Sequence, residues 1–340
     1  MYSFLFLALT SIPSTYAWGS LGHETIAYIA SHYVQSHTKS WAQAILGDTS
    51  KDYLANVATW ADSYRYTAAG KFSAPYHFID AEDNPPNSCS VDYDRDCGKN
   101  GCSVSAIANY TTRVQSSSLS DTEVNYALRF LVHFIGDITQ PLHDEAYEVG
   151  GNDVDKPQVS LLVFPIVLRL ILLQNLHHIW DTNMPEQLRG GYSLSDASDW
   201  ANDLISAIDA GSYSSQKSSW ISGLDVSDPK GTAMKWATDA NTFVCSKVMP
   251  NGASNLENSD DLYPKYYNGV IDAIELQVAK AGYRLAKWLD AIAANQSGSK
   301  RAVHGEMTAE EDLSGVDLLP RGPTSRAQRR REAMGYNCKH

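Results

Sequence analysis

Residues 133 to 143 read His-Phe-Ile-Gly-Asp-Ile-Thr-Gln-Pro-Leu-His and place three side chains of metal-ligand type, His133, Asp137 and His143, in an otherwise apolar run. His133 and Asp137 are four residues apart, so on a helix they stand one turn above each other on one face. The same spacing recurs at His177 and Asp181 in His-His-Ile-Trp-Asp. Further candidates are Asp62 with Arg65 in Trp-Ala-Asp-Ser-Tyr-Arg, His77 with Asp80 in Tyr-His-Phe-Ile-Asp, and His23 near the amino end. A single His/Asp pair on a helix is more often a hydrogen-bonded structural pair than a metal site. His178, His32 and His37 read as bystanders. Two such pairs, a nearby third His and a Trp-Ala-Asp in one helical protein are hard to explain by packing alone. Imidazole and carboxylate without thiolate suit zinc in a catalytic role, with one coordination position left for water. Two such ions held about 3.5 to 4 Å apart can clamp a phosphoryl group. The chemistry indicated is phosphoester hydrolysis.

Helices must position these groups. At about 100° per residue, Val124, Leu128, Leu131, Ile135 and Ile138 form an aliphatic stripe, while His133, Asp137 and Tyr126 point the opposite way. One face therefore packs into a core, and the other presents an imidazole and a carboxylate where a solvated surface would carry Lys and Glu. Apolar residues at three and four residue spacing predict helices over 21–37, 105–115, 121–139, 193–210, 231–248 and 262–294. The fold class expected is all-α, mostly helical with minor β. Residues 70 to 102 form a long polar loop stapled by cysteines, of the kind that carries binding residues.

With 43% hydrophobic residues, the chain can bury a large core, and a single domain is expected over 18–295. Residues 1–17 carry an apolar run from Phe4 to Leu9 and a small-residue site ending at Ala17, the layout of a secretory signal peptide. Cleavage there leaves Trp18 first, with a free amino group. The formal charge of −12 argues against a basic nucleic-acid-gripping face, although bound cations would reverse the sign locally. Five cysteines in a secreted chain suggest disulfides plus one left over; we pair Cys97 with Cys102 and Cys89 with Cys245, the alternative being a cysteine-rich metal knuckle. Asn109 and Asn295 open glycosylation sequons. From residue 296 to 340 the composition is that of a disordered tail. Residues 159–173 are nearly all aliphatic, interrupted by Pro165 and Arg169, and too short for a comfortable membrane crossing.

The motifs Trp-Gly-x-x-Gly-His at 18–23, Trp-Ala-Asp at 60–62, His-Phe-Ile-Asp at 77–80, the 133–143 segment, Gly-Gly-Asn at 150–152 and Asn-Leu-His-x-x-Trp-Asp at 175–181 together resemble the fungal S1/P1 nuclease family. Its members are secreted zinc-dependent single-strand nucleases, similar also to bacterial zinc phospholipases C. The resemblance runs from Trp18 to about Ala294 and implies a phospholipase C/P1 nuclease-like helical fold holding three zinc ions per chain. It implies one zinc on Asp62, His77, His133 and Asp137, and a second on His143, His177 and Asp181. The third falls to the amino group and carbonyl oxygen of Trp18, to His23, and to Asp137 as a bridge. A free amine and its own carbonyl oxygen close a five-membered chelate, which an amide nitrogen cannot do.

The resemblance further implies a secreted monomeric enzyme, with no membrane association, acting on single-stranded DNA and RNA and on 3′-nucleotides. Water oriented by Asp62 would attack phosphorus in line, the 3′ oxygen would leave, and Arg65 would brace the pentacovalent phosphate. The alternative for Arg65 is a surface salt bridge. Phe78 would stack on an unpaired base, Asp80 would hydrogen-bond it, Val149 would close the pocket, and Asn152 of the Gly-Gly-Asn motif would help to bind it; the alternative for Phe78 is a core position. The segment 159–173 departs from the family pattern and reads as a retained intron or faulty gene prediction. Two rival readings are a zinc phospholipase C and a secreted zinc-binding protein without catalysis.

Overall fold

The computed structural model describes residues 18–157, 173–259 and 262–296. The expected leader, the bulk of the 159–173 segment and the tail beyond residue 296 lie outside them. Helix α1 (Ser20–Tyr33) runs between two later helices, α6 (Leu194–Asp209) and the long α8 (Lys265–Asn295). Helix α4 (Ser103–Val114) packs on α5 (Asp121–Asp137), and α7 (Pro229–Phe243) lies against α4 and a 3-10 turn at Pro141–Asp144. The shorter helices α2 (Ser36–Leu46) and α3 (Trp60–Tyr64) close the side of α5. The fold class expected is the one observed. Strand is confined, among the described residues, to the antiparallel pair β1 (Asp155–Pro157) and β2 (Leu173–Asn175), which flanks the aliphatic segment. No helix among the described residues is long and apolar enough to cross a membrane.

Helix α5 starts where its sequence says it must. Ser120 accepts the Glu123 N–H at 3.2 Å and the Glu123 carboxylate accepts the Ser120 N–H at 3.3 Å, a reciprocal capping box. From Val124 onward every residue except Arg129 is buried. The His133/Asp137 face that the sequence set apart from the stripe is as dry as the stripe itself, because α1, α3 and the turn Lys71–His77 cover it. The helix is central to the domain and not an edge helix with one wet side.

The helix expected over 21–37 is corrected. It stops at Tyr33, Val34 turns extended at ψ 146°, and a second helix begins at Ser36. The cause is long-range: Asp290 of α8 accepts the Gln35 N–H at 2.8 Å and the Thr38 hydroxyl at 2.7 Å. That carboxylate supplies the bonds that a broken helix forfeits. The polar loop from 70 to 102 is stapled as expected, by Cys97–Cys102 and Cys89–Cys245, which removes the metal-knuckle alternative.

Candidate metal centre

Four side chains from three elements converge on the covered face of α5. Asp62 comes from α3, His77 from the end of the turn Lys71–His77, and His133 and Asp137 from α5 itself. His77 Nδ1 lies 2.9 Å from Asp137 Oδ2 and 3.1 Å from His133 Nε2; His133 Nε2 lies 3.2 Å from Asp137 Oδ2. Asp62 Oδ1 lies 3.5 Å from His133 Nε2 and 3.7 Å from His77 Nδ1. Ligands about 2.0 to 2.2 Å from a tetrahedral ion are separated by about 3.3 to 3.6 Å. Five of the six edges of this quartet scatter around that length.

Three of the five candidate ligand imidazoles are held in one tautomer by backbone. His133 Nδ1 donates to the Ala58 carbonyl at 2.7 Å, His143 Nδ1 to the His77 carbonyl at 2.8 Å, and His177 Nδ1 to the Gly150 carbonyl at 2.7 Å. In each ring the other nitrogen, Nε2, faces a carboxylate, the arrangement that outer hydrogen bonds give metal-binding histidines. These carbonyl acceptors escape sequence reading, since a backbone oxygen leaves no residue-type signal.

His143, His177 and Asp181 form a second group. His177 Nε2 is 3.2 Å from Asp181 Oδ2, His143 Nε2 is 4.0 Å from Asp181 Oδ1, and the two imidazole rings stack at 4.8 Å. Both His177 and Asp181 lie on the helical stretch 176–189, which passes through a π turn at Ile179–Asn183, a distortion often found at functional sites. Gly150, the acceptor for His177, belongs to a left-handed turn: Glu148, Val149, Gly150 and Gly151 have φ of 48, 57, 63 and 77°. Left-handed backbone is rare for a β-branched residue such as Val149 and is sustained only where its surroundings force it. Asn152 Nδ2 donates to the Val149 carbonyl at 2.8 Å and Gly151 N–H to the Tyr147 carbonyl at 3.1 Å, which hold the turn.

A third group joins the first through Asp137. His23 of α1 places Nε2 3.2 Å from Asp137 Oδ1, while Oδ2 of the same carboxylate faces His77 and His133. The His23 ring lies flat on His133 at 4.1 Å and 15°. Trp18 is fully buried beside this group's helix end, its indole N–H directed at Thr139 Oγ1 at 3.3 Å, and the next residue, Gly19, donates its N–H to the Asp181 carbonyl at 2.8 Å. Among the described residues these are the three fully buried groups able to hold a metal ion. A fourth, partly exposed group of Asp83, Cys89 and Glu145 has its cysteine tied up in a disulfide.

The electrostatics fit divalent cations. Both Asp62 oxygens, Asp137 Oδ1 and Asp181 Oδ2 are buried and accept no hydrogen bond of ordinary geometry. Buried carboxylates are normally paired or metal-bound. Burial drives the Asp181 pKa well above the carboxylate range, so a cation is what would keep it ionised. Burial, with the Arg65 charge, lowers His77 to about 4 and so keeps it neutral, as a ligand must be. His133 behaves oppositely: burial opposes its charge, but Asp137 and Asp62 outweigh burial and raise it to about 10. A proton on His133 and a cation in the quartet are electrostatic substitutes for one another.

The remaining candidates fall around these groups. Arg65 is 4% exposed, with Nη2 3.9 Å from Asp62 Oδ1 and 3.2 Å from the Tyr66 hydroxyl, so the surface-salt-bridge alternative is removed. Phe78 is 3% exposed and lies on the His143 ring at 4.8 Å; it and Val149 are buried yet stand outside the contiguous hydrophobic core. Asp80 and Asn152 are buried. The two sequons differ: Asn295 is exposed at the end of α8, whereas Asn109 sits inside α4 with its Nδ2 buried.

Comparison with known proteins agrees with this geometry. Residues 18–294 match the S1/P1 nuclease family. The chain is 58% identical to nuclease P1 of Penicillium citrinum over 275 residues, covering 81% of this chain and 97% of the relative. It is 56% identical over 291 residues to nuclease S1 of Aspergillus oryzae, covering 86% and 96%. At greater distance it is 29% identical over 314 residues to endonuclease 4 of Arabidopsis thaliana, covering 84% and 93%. A chain with this helical frame, these buried His/Asp groups and a match spanning both belongs to the S1/P1 nuclease family.

Proposed function

We propose that the protein is a secreted, monomeric, zinc-dependent nuclease that hydrolyses phosphodiester bonds of single-stranded DNA and RNA to 5′-phosphate products and removes phosphate from 3′-nucleotides. The observation that carries this reading is the sharing of Asp137 between two buried ligand groups, with a third group close by. The donors are imidazole and carboxylate only, the set that suits zinc with a coordination position left open. Asp62, His77, His133 and Asp137 would hold one ion, His143, His177 and Asp181 a second, and Trp18, His23 and Asp137 a third. Bound there, the three ions would activate water and neutralise charge on the phosphate.

The side chains around them supply position and selectivity. Asp62, which accepts no other hydrogen bond, orients the attacking water. Arg65, buried beside Asp62, meets the phosphate oxygens as charge builds on them. Phe78 and Val149 form the apolar walls for one base and Asp80 its polar contact, with Asn152 acting through the turn that carries Val149. Base stacking is worth roughly 1 to 3 kcal/mol and is open only to a base outside a duplex. The deciding assay offers single-stranded DNA, RNA, a 3′-nucleotide and phosphatidylcholine to the purified protein, each with and without chelator. Chelator-sensitive release of 5′-phosphates from the first two, and of phosphate from the third, is expected. Turnover of the lipid alone would make it a phospholipase C, and no turnover with bound zinc would make it a non-catalytic zinc protein.

A further inference from the structure

Gln140 lies between His133/Asp137 and His143, fully buried, and belongs to none of the three ligand groups. Its backbone is tied to two of the ligand residues: its N–H donates to the Asp137 carbonyl at 2.9 Å, and its carbonyl accepts the His143 N–H at 2.9 Å. Its side chain reaches a third. Gln140 Oε1 accepts the Leu142 N–H at 2.6 Å, and since a backbone N–H can only donate, this contact fixes which end of the amide is which. The Nε2 donor end then necessarily faces Asp181, and it donates to Asp181 Oδ1. The frame is stiff: Pro141 follows at the start of the 3-10 turn, and Gln277 of α8 donates to the preceding carbonyl, Thr139, at 2.7 Å.

The two oxygens of Asp181 therefore have different tasks. Oδ1 is engaged by an amide N–H, while Oδ2 accepts no hydrogen bond and lies 3.2 Å from His177 Nε2. A carboxylate with both oxygens available can chelate one ion with the pair of them and so fill an extra coordination position. We propose that Gln140 is a positioning residue of the metal centre: by occupying Oδ1 it restricts Asp181 to one-oxygen coordination through Oδ2 and keeps a position open for a substrate phosphate oxygen. The inference rests on the reading that His143, His177 and Asp181 hold a divalent ion, and it adds a role that this ligand set does not contain.

The test replaces Gln140 by Met, of similar length and without polar atoms, and loads wild type and variant with cobalt(II). Visible absorption reports coordination number, with four-coordinate cobalt absorbing more strongly than five-coordinate. In Gln140→Met, the component from the ion on Asp181 is expected to lose intensity, and kcat to fall roughly 10- to 100-fold with KM little changed, in line with removal of outer partners of metal ligands. A variant with the wild-type cobalt spectrum and wild-type kcat overturns the inference. Should Gln140→Met fail to fold, Gln140→Leu likewise lacks a donor toward Asp181 and adds no charge beside that carboxylate. It is expected to show the same cobalt change, and a wild-type spectrum in it is equally fatal. A wild-type protein that takes up no cobalt or zinc sinks the metal reading and this inference together. Loaded wild type that Gln140→Met matches in every respect sinks the inference alone.

Discussion

Replacing Gly136 by Ala separates metal binding from fold stability. Gly136 sits on α5 immediately before Asp137, and a Cβ built there lies 2.9 Å from His23 Nδ1, 3.0 Å from His23 Cε1 and 3.5 Å from Ile26 Cδ1. Comfortable contact is about 3.5 Å, so the His23 ring must retreat by roughly half an ångström. Metal ligands tolerate about 0.2 Å. The direction of retreat is away from α5, which carries both Asp137 Oδ1, 3.2 Å from His23 Nε2, and the His133 ring on which His23 lies. The fold itself is little affected: Gly to Ala in a helix interior gains about 1 kcal/mol, and mild overpacking costs about 1 to 3 kcal/mol. The measurements are zinc per chain by elemental analysis after dialysis, thermal unfolding of the metal-free form, and turnover of single-stranded DNA. We expect Gly136→Ala to carry one ion fewer than wild type, to melt within a few degrees of it without metal, and to lose at least about tenfold in rate. Full metal content with full rate would show that the close approach of α1 to α5 does not position His23 for an ion.

A chain retaining a residue before Trp18 has an amide where the chelating amine is needed, and it should lose one ion and most activity; full zinc and full rate in such a form would refute the role of the amine. Arg65→Ala should keep its metal and lose rate, with a larger effect on kcat than on KM, and unchanged turnover would remove Arg65 from the chemistry. Val149→Gly relieves about 1 to 2 kcal/mol of left-handed strain and gives up about 2 kcal/mol of buried side chain, so its melting temperature should barely move while KM for a 3′-nucleotide rises; an unchanged KM would take Val149 out of the base pocket. Peptide mass spectrometry of protein from a glycosylating host should find sugar on the sequons Asn295, exposed at the end of α8, and Asn109, half-buried on α4; unmodified asparagine at both would remove the glycosylation reading.

Much of the site was legible because its chemistry is unusual for its context. A solvated helix face does not place His and Asp one turn apart twice, and Arg65 three residues past Asp62 already suggested a shared target. The span of α5 from residue 121 was legible in its apolar spacing, and in the structure the Ser120–Glu123 capping box is what holds its start. The break after Tyr33 was not legible, because the groups that replace the lost helical bonds come from Asp290, some 255 residues along the chain. Nor was Gly136, which in the sequence looks like an ordinary weak point in a helix and in the structure is the gap that admits His23.

Residue types and local spacing alone determined the donor chemistry, the helical class and the pairs His133/Asp137 and His177/Asp181, because residues four apart on a helix share a face whatever the rest of the chain does; the long-range Cys89–Cys245 pairing was settled by the fold. Only the folded chain decided which pairs meet, that the ligand face of α5 is buried, that Asp137 turns one oxygen to His23 and the other to His77, and that Ala58, His77 and Gly150 supply the carbonyls that fix the imidazoles. Those outcomes depend on where separate helices come to rest against one another, and that is set by core packing summed over the whole domain.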